Sequence, residues 1–356
     1  MSDKKKALKR LILYLMICFV LVGAFVWFFD PFHQYHQPFL GLNAVLNDRD
    51  NQMPGTIRNF DYDSLLVGSS VAENFDSEYL DAQYGCQTLK VIRASGSLAD
   101  LLYYVNMAEE AQNLKQIVWC LDLFALDAST EVTLNAGDIP RYLHTRTPFD
   151  DIPYLYNKEI ILQKIPAMIV SSIQGINVGG DAYNWSKGKN FSASGAMRFY
   201  DRPAEIPQIN NVPASDYEEL VLENIALLKE QIQGHPEIQY KFIFPPYSLL
   251  WWDCAWLNGY REEKFYILEE VMSALVHYEN VEIYYYQNDE EIVCNLDHYM
   301  DMIHYSPEIN QEMLERMAAN AGRITADNME SEIENMRQLA ERISEAEIYR
   351  YYGERE

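Results

Sequence analysis

Ser64-Leu65-Leu66-Val67-Gly68-Ser69-Ser70 is a short uncharged apolar run that ends in glycine and two serines. A strand buried on both faces of a parallel sheet reads this way, without the in–out alternation of a half-exposed strand. Ligands of open α/β sheets sit beyond the carboxyl ends of the strands, which is where the two serines fall. Outward from this run the pattern repeats. Residues 87–92, 116–124 (Gln-Ile-Val-Trp-Cys-Leu-Asp-Leu-Phe), 240–244 and 281–286 read as further strands. Residues 98–112, 261–277 and 307–319 have helical spacing, the last with Ser306 as its cap. Ser215 and Glu218 predict a capping box for a helix that ends at Gly234. Residues 159–173 predict a helix inside a long irregular insertion, about 125–213, and residues 326–356 predict a charged amphipathic C-terminal helix. Strands alternating with helices imply a parallel sheet covered on both faces.

The N-terminus reads separately. Residues 11–29 are 19 uncharged, mostly apolar residues, about 28 Å of helix and close to the hydrocarbon thickness of a bilayer. The run ends in Phe25-Val26-Trp27-Phe28-Phe29 rather than in the small residues of a cleavage site, so it reads as an uncleaved anchor. Lys4, Lys5, Lys6, Lys9 and Arg10 against Asp3 place +4 in the first ten residues, which predicts a cytoplasmic tail at 1–10. The net charge of the 356-residue chain is −25, so everything from Asp30 onward carries −29. A body this acidic repels a phosphate backbone and excludes nucleic-acid binding. Residues 30–60, with turn residues and aromatics but no clear period, read as a collar between membrane and domain. The main domain is expected at 61–325, outside the cell.

Chemistry concentrates at two distant places. Ser70 follows the first strand where backbone N–H groups of a helix start can support an oxyanion. Asp301-Met302-Ile303-His304 lies between the last strand and the Ser306-Pro307 helix start. There the carboxylate can accept the Nδ1 proton of the imidazole and leave Nε2 as a base. Taken alone, each motif reads better as an ordinary turn. Asp297-His298 is an alternative pair, although adjacent side chains in extended backbone point apart. Trp251, Trp252 and Trp256 could stack on sugar rings or pack a loop onto the core, and sequence does not choose between these. His33-x-x-His36 has no local acidic partner and belongs to the collar. The five cysteines contain no CxxC pair, so neither a metal site nor a cofactor is expected, and no Walker or dinucleotide glycine motif is present.

Serine after the first strand, with Asp and His before the last helix, resembles the ordering of the SGNH (GDSL-like) hydrolase superfamily. Gly68-Ser69-Ser70 resembles its Gly-Asp-Ser block in the Gly-Ser-Ser form of the D-alanyl lipoteichoic acid transfer proteins. Asp301-x-x-His304 resembles its final block, and Gly96, in Ala94-Ser95-Gly96, matches its oxyanion glycine. The anchor, the Asp30-Pro31-Phe32 collar and Phe244-Pro245-Pro246-Tyr247-Ser248 are similar to the branch that modifies surface polysaccharides with acyl groups. The resemblance spans roughly residues 64–319 as order and short blocks. It implies a flavodoxin-like parallel sheet sandwiched by helices, with Ser70 as nucleophile, His304 as base, Asp301 as its orienter, and the Ser70 and Gly96 amides as oxyanion donors.

The function so implied is acyl transfer to, or ester hydrolysis on, a cell-surface polysaccharide or teichoic-acid-like polymer, with acetyl the expected group. The expected partner is a multi-span membrane acyltransferase that supplies acyl groups across the bilayer. Two departures stand out. Where the family carries an oxyanion Asn after its third strand, this chain reads Leu121-Asp122-Leu123, so that donor is absent, replaced, or supplied by a protonated Asp122. Ser69 replaces the usual Asp. A non-catalytic scaffold that holds a polysaccharide or a partner is the rival reading.

Overall fold

The computed structural model describes residues 2–134, 139–145, 147, 149–176 and 179–352. Parts of the expected tail at 1–10, insertion at 125–213 and C-terminal helix at 326–356 lie outside these. The described chain forms two compact units, one of residues 1–60 with 135–182 and one of 61–134 with 183–356.

The larger unit is built on a six-stranded sheet ordered β2-β1-β3-β4-β5-β6. Its strands are β1 Ser64–Gly68, β2 Thr88–Ile92, β3 Gln116–Cys120, β4 Gln239–Phe244, β5 Val281–Tyr285 and β6 Arg323–Ile324. β1 to β5 are parallel, and β6 pairs antiparallel to the β5 edge. The apolar β1 run is fully buried, as is β3. Helices Leu98–Ala111, Glu218–Gly234, Arg261–Leu275 and Pro307–Ala318 connect and cover the strands. The fold is therefore the expected α/β class, a flavodoxin-like sheet between helices. Its order reverses between β1 and β3, which opens a crevice at their carboxyl ends.

Glycine is required at Gly68. A Cβ there would lie 2.7 Å from the Ala72 Cβ and 3.0 Å from the Cys120 carbonyl, so a side chain would wedge β1 and its following turn away from β3.

Several boundaries depart from the sequence reading, each for a local reason. β3 stops at Cys120 because Asp122 begins the short helix Leu123–Leu126. The expected capping box does not form. Tyr217 takes the N-cap position of helix Glu218–Gly234, and the Ser215 hydroxyl bonds Asp216 instead. The C-terminal helix runs Met329–Arg342 and then widens into an i→i+5 turn at Ile343–Glu347. Near this end Arg202, itself buried, pairs with the buried Asp253 at 2.7 Å and donates to the Ser344 carbonyl.

The smaller unit contains helix Ser2–Phe29, which is long and apolar enough to cross a membrane. The collar hides a second helix, Arg49–Asn59, that the sequence concealed by placing Pro54 and Gly55 inside it. Val26, Phe32, Leu143, Tyr154, Ile160 and Ile165 form one apolar cluster. The Asp30 carboxyl gathers the following loop by accepting from the backbone of Gln34, Tyr35 and His36 and from the Tyr154 hydroxyl. The two collar histidines are separated in role: His33 packs on Phe60, while both ring nitrogens of His36 face carbonyl oxygens, of Gln37 and Trp27.

Gly55 sets the tightest contact of this unit. A Cβ there would fall 2.2 Å from the Phe32 carbonyl and 2.6 Å from that of His33, both backbone. Gly55→Ala is therefore expected to lose about 3 kcal/mol or more, because no side chain can move aside to absorb the overlap. Limited proteolysis of the full chain would detect it as rapid cutting around residues 30–60. Unchanged resistance would mean that this close approach is absent.

Candidate active site

Three of the expected residues form one hydrogen-bonded chain at the carboxyl end of the sheet. The Ser70 Oγ lies 2.8 Å from His304 Nε2, and His304 Nδ1 lies 2.7 Å from Asp301 Oδ2. The other carboxylate oxygen, Oδ1, accepts from the backbone N–H of Ile303 at 2.9 Å and of His304 at 2.8 Å. Both carboxylate oxygens are thus engaged, so the carboxylate cannot rotate without losing bonds. Burial by itself would raise the Asp301 carboxyl. The hydrogen bond and charge of His304 and the two amides outweigh it and hold the group below the usual carboxylate range.

The serine turn is held from several sides. Ser70 opens a single 3₁₀ turn, Ser70–Ala72, directly after β1. Three carbonyls of the turn and its C-cap each take a side-chain donor. Trp185 Nε1 donates to the Ser70 carbonyl at 2.8 Å, Asn310 Nδ2 to that of Val71 at 3.1 Å, and Lys90 Nζ to that of Glu73 at 2.9 Å. Trp185 also stands edge-on to the His304 ring, 5.2 Å between centroids. One indole therefore touches both nucleophile turn and imidazole. Neither Trp185 nor Asn310 was found from sequence. The first lies in the irregular insertion and the second reads as an ordinary helix residue.

The Asp301–His304 loop is anchored by the segment after β4. The Ser248 hydroxyl donates to the Met302 carbonyl at 2.6 Å, and the Tyr299 hydroxyl donates to that of Pro246 at 3.1 Å. The alternative pair does not assemble. Asp297 accepts from the Ala193 backbone, and His298 Nε2 faces Asn295.

Two candidate positions are taken up by other contacts. The Gly96 N–H donates to the Arg93 carbonyl at 3.0 Å, closing a turn that puts Ser95 at φ 51°. Its single hydrogen is used there, so it is not an open oxyanion donor. No acceptor occupies the Ser70 N–H among the described residues. Trp252 is wholly buried and stacks on Phe265, which closes it to a sugar. Trp251 leans on Tyr247, and Trp256 lies between the Arg202 and Arg261 guanidinium groups, both only partly covered.

Asp122 is the buried carboxyl beside this chain. Its Oδ1 accepts from the Tyr247 hydroxyl at 2.6 Å. The Ser69 hydroxyl is buried close enough to favour its ionised form, without a hydrogen bond of standard geometry. Burial pushes the Asp122 carboxyl up to about 6, against the pull of Ser69, Tyr247 and the charge of His304. Because the folded value lies above the unfolded one of 3.8, the two states titrate alike below pH 4. Stability then falls as pH rises from 4 to 6 and stays lower above that. The cost above pH 6 is on the order of 3 kcal/mol. Asp122→Asn, which keeps the acceptor for Tyr247, is expected to be more stable than the parent at pH 8 and equal to it near pH 4. Urea unfolding followed by tryptophan emission measures this, since Trp119, Trp185, Trp251, Trp252 and Trp256 all belong to this unit. Equal midpoints at both pH values would contradict an uncharged-leaning Asp122.

With the geometry described, the chain can be set beside known proteins. No family model matches it, and neither does any curated protein. One solved structure, from Streptococcus pneumonia and provisionally described as a platelet activating factor, matches 76% of this chain and 91% of its own. The identity is 9% and the TM-score 0.40, a likeness that assigns no activity.

Proposed function

We propose that this protein is a membrane-anchored serine esterase or O-acyltransferase. The observation that carries the reading is the Ser70–His304–Asp301 chain, with both its hydrogen bonds at 2.8 Å or less. In the proposed cycle His304 Nε2 takes the Ser70 proton as Oγ attacks the acyl carbonyl. The Ser70 N–H supports the oxyanion, and the leaving oxygen receives the proton from the imidazolium. Attack by water on the acyl-serine gives an esterase. Attack by a sugar hydroxyl gives a transferase.

The rest of the reading supports a surface role. The apolar helix Ser2–Phe29 is proposed as a retained anchor, with the body outside the cell and the basic tail inside. Val26 is wholly buried against Leu143, Tyr154, Ile160 and Ile165 of its own unit, a packing that loss of the helix would destroy. The proposed substrate is an acyl ester, acetyl first, on a cell-surface polysaccharide or teichoic-acid-like polymer. A multi-span membrane acyltransferase is its proposed supplier. The scaffold reading keeps one specific support, the Asp122 carboxyl where an amide donor would be expected.

The test uses full-length protein in detergent with an aryl acetate. Turnover that rises on adding a hydroxyl-rich polysaccharide, with acetyl recovered on the polymer, identifies a transferase. Turnover unaffected by polymer identifies an esterase. No turnover, with or without polymer, would favour the scaffold.

A further inference from the structure

Residues 160–176 carry an apolar surface that the catalytic reading does not use. Leu162, Pro166, Val170, Ile173 and Ile176 are exposed, Leu162 to 71% and Ile173 to 81%. Steps of three or four residues put Leu162, Pro166, Val170 and Ile173 in one stripe on the wide turn Ile160–Lys164 and helix Ile165–Gln174, and Ile176 follows just past the left-handed Gly175 that ends it. The remaining exposed side chains of the stretch are uncharged. Lys164, the sole charged residue from 160 to 176, turns away to pair with Asp48. A water-facing helix with this composition would be costly to expose.

The opposite face shows what covers it. Ile160 and Ile165 pack with Val26 and Phe32 in the cluster at the end of the apolar helix. Just before them, Tyr156 lies flat on Phe19, ring centroids 4.0 Å apart, and its hydroxyl donates to the Phe19 carbonyl at 2.9 Å. Gly23 makes this contact possible, because a Cβ there would meet the Tyr156 hydroxyl at 2.7 Å. Gly23 is six residues from Phe29, about 9 Å along the axis. Ile160 and Ile165 themselves meet the helix at Val26, three residues or about 4.5 Å from Phe29, so the segment enters at the shallow edge of the roughly 5–10 Å over which interfacial helices bury an apolar face. Lys158, exposed immediately before it, has a stem long enough to carry its charge toward the headgroups.

We infer that residues 160–176 lie in the outer leaflet of the bilayer spanned by Ser2–Phe29, and that the stripe from Leu162 to Ile173 contacts lipid. The inference rests on the proposed anchor. A second membrane contact fixes the orientation of its unit as one spanning helix, free to rotate, cannot.

The experiment uses the full chain with Cys18, Cys86 and Cys254 replaced by serine, leaving only the buried Cys120 and Cys294. Single cysteines at Ile173, Phe25 and Leu222 are labelled with bimane, and the protein is placed in phosphatidylcholine vesicles that carry a shallow nitroxide lipid. All three positions are exposed, so the changes leave the core intact. At Ile173 the nitroxide is expected to reduce emission at least twofold more than at Leu222, while aqueous iodide quenches it less. Quenching at Phe25 but not at Ile173, with full access of iodide to Ile173, overturns the inference and leaves the anchor standing. Protection of Ile173 from both quenchers overturns it in favour of a second copy of the chain. Loss of nitroxide quenching at both Phe25 and Ile173 overturns the anchor and the inference together.

Discussion

His304→Ala is expected to reduce kcat/KM for an aryl acetate by about 10⁴- to 10⁶-fold, and Ser70→Ala by a similar factor. The expectation follows from the chain of contacts. Ser70 is a weak nucleophile at neutral pH until a base takes its proton, and the base 2.8 Å away is His304 Nε2. The double variant should be little worse than either single one, because the two side chains act as a unit. Ser69→Ala should leave turnover, since its hydroxyl is buried beside Asp122 and bonds neither Ser70 nor His304. His298→Ala should be silent, as its ring bonds Asn295. A damaging His298→Ala beside a silent His304→Ala would invert the assignment. Steady-state rates at several pH values separate loss of the base from loss of fold, which circular dichroism checks independently.

Asp301→Asn is expected to lower kcat by about 10⁴-fold while leaving the fold intact. The backbone explains why so small a change is so damaging. Ile303 and His304 both donate N–H groups to Oδ1, so an asparagine keeps its carbonyl oxygen there and turns its NH₂ toward the imidazole. That donor forces Nδ1 to accept, moves the ring proton to Nε2, and leaves nothing to receive the Ser70 proton. The carboxyl also links activity to acid stability. Its pKa is lower folded than unfolded, so the stability it lends is present above the ordinary carboxylate range. That stability is lost as pH falls through the folded value. Asp301→Asn should therefore lose less stability than the parent on acidification. A near-normal kcat for Asp301→Asn would mean that the imidazole is oriented by something else.

The sheet was legible because its strands are buried on both faces. Ser64–Gly68, as SLLVG, can be little else, and its structure has the same bounds as its sequence signal. Order then suggested Ser70, Asp301 and His304, since Ser70 follows the end of β1 and the Asp301–His304 loop leads into the helix start at Ser306-Pro307, where sequence punctuation is strongest. What escaped was set by tertiary contact. Helix Arg49–Asn59 carries Pro54 and Gly55, residues that argue against a helix until the carbonyls of Phe32 and His33 are seen against Gly55. Trp185 holds the Ser70 carbonyl from a stretch with no period at all. Gly96 follows β2, but sequence does not show that the Arg93 carbonyl takes its N–H. Trp252 illustrates the same limit, because a tryptophan cluster reads identically whether it faces sugar or core.

Asp122 ties these observations together. It follows β3 at the crevice where the strand order reverses, with Tyr247 from the segment after β4 bonded to it. The same segment grips the Asp301–His304 loop through Ser248 and Pro246. A single run, Phe244-Pro245-Pro246-Tyr247-Ser248, thus supports both the base and the buried carboxyl beside the nucleophile.

The most direct test of a serine nucleophile is covalent labelling of the intact protein with a fluorophosphonate, followed by peptide mapping. The account predicts one adduct, on Ser70, that disappears in Ser70→Ala and forms far more slowly in His304→Ala. No adduct on the folded wild-type chain, or an adduct on another serine that persists in Ser70→Ala, would contradict it.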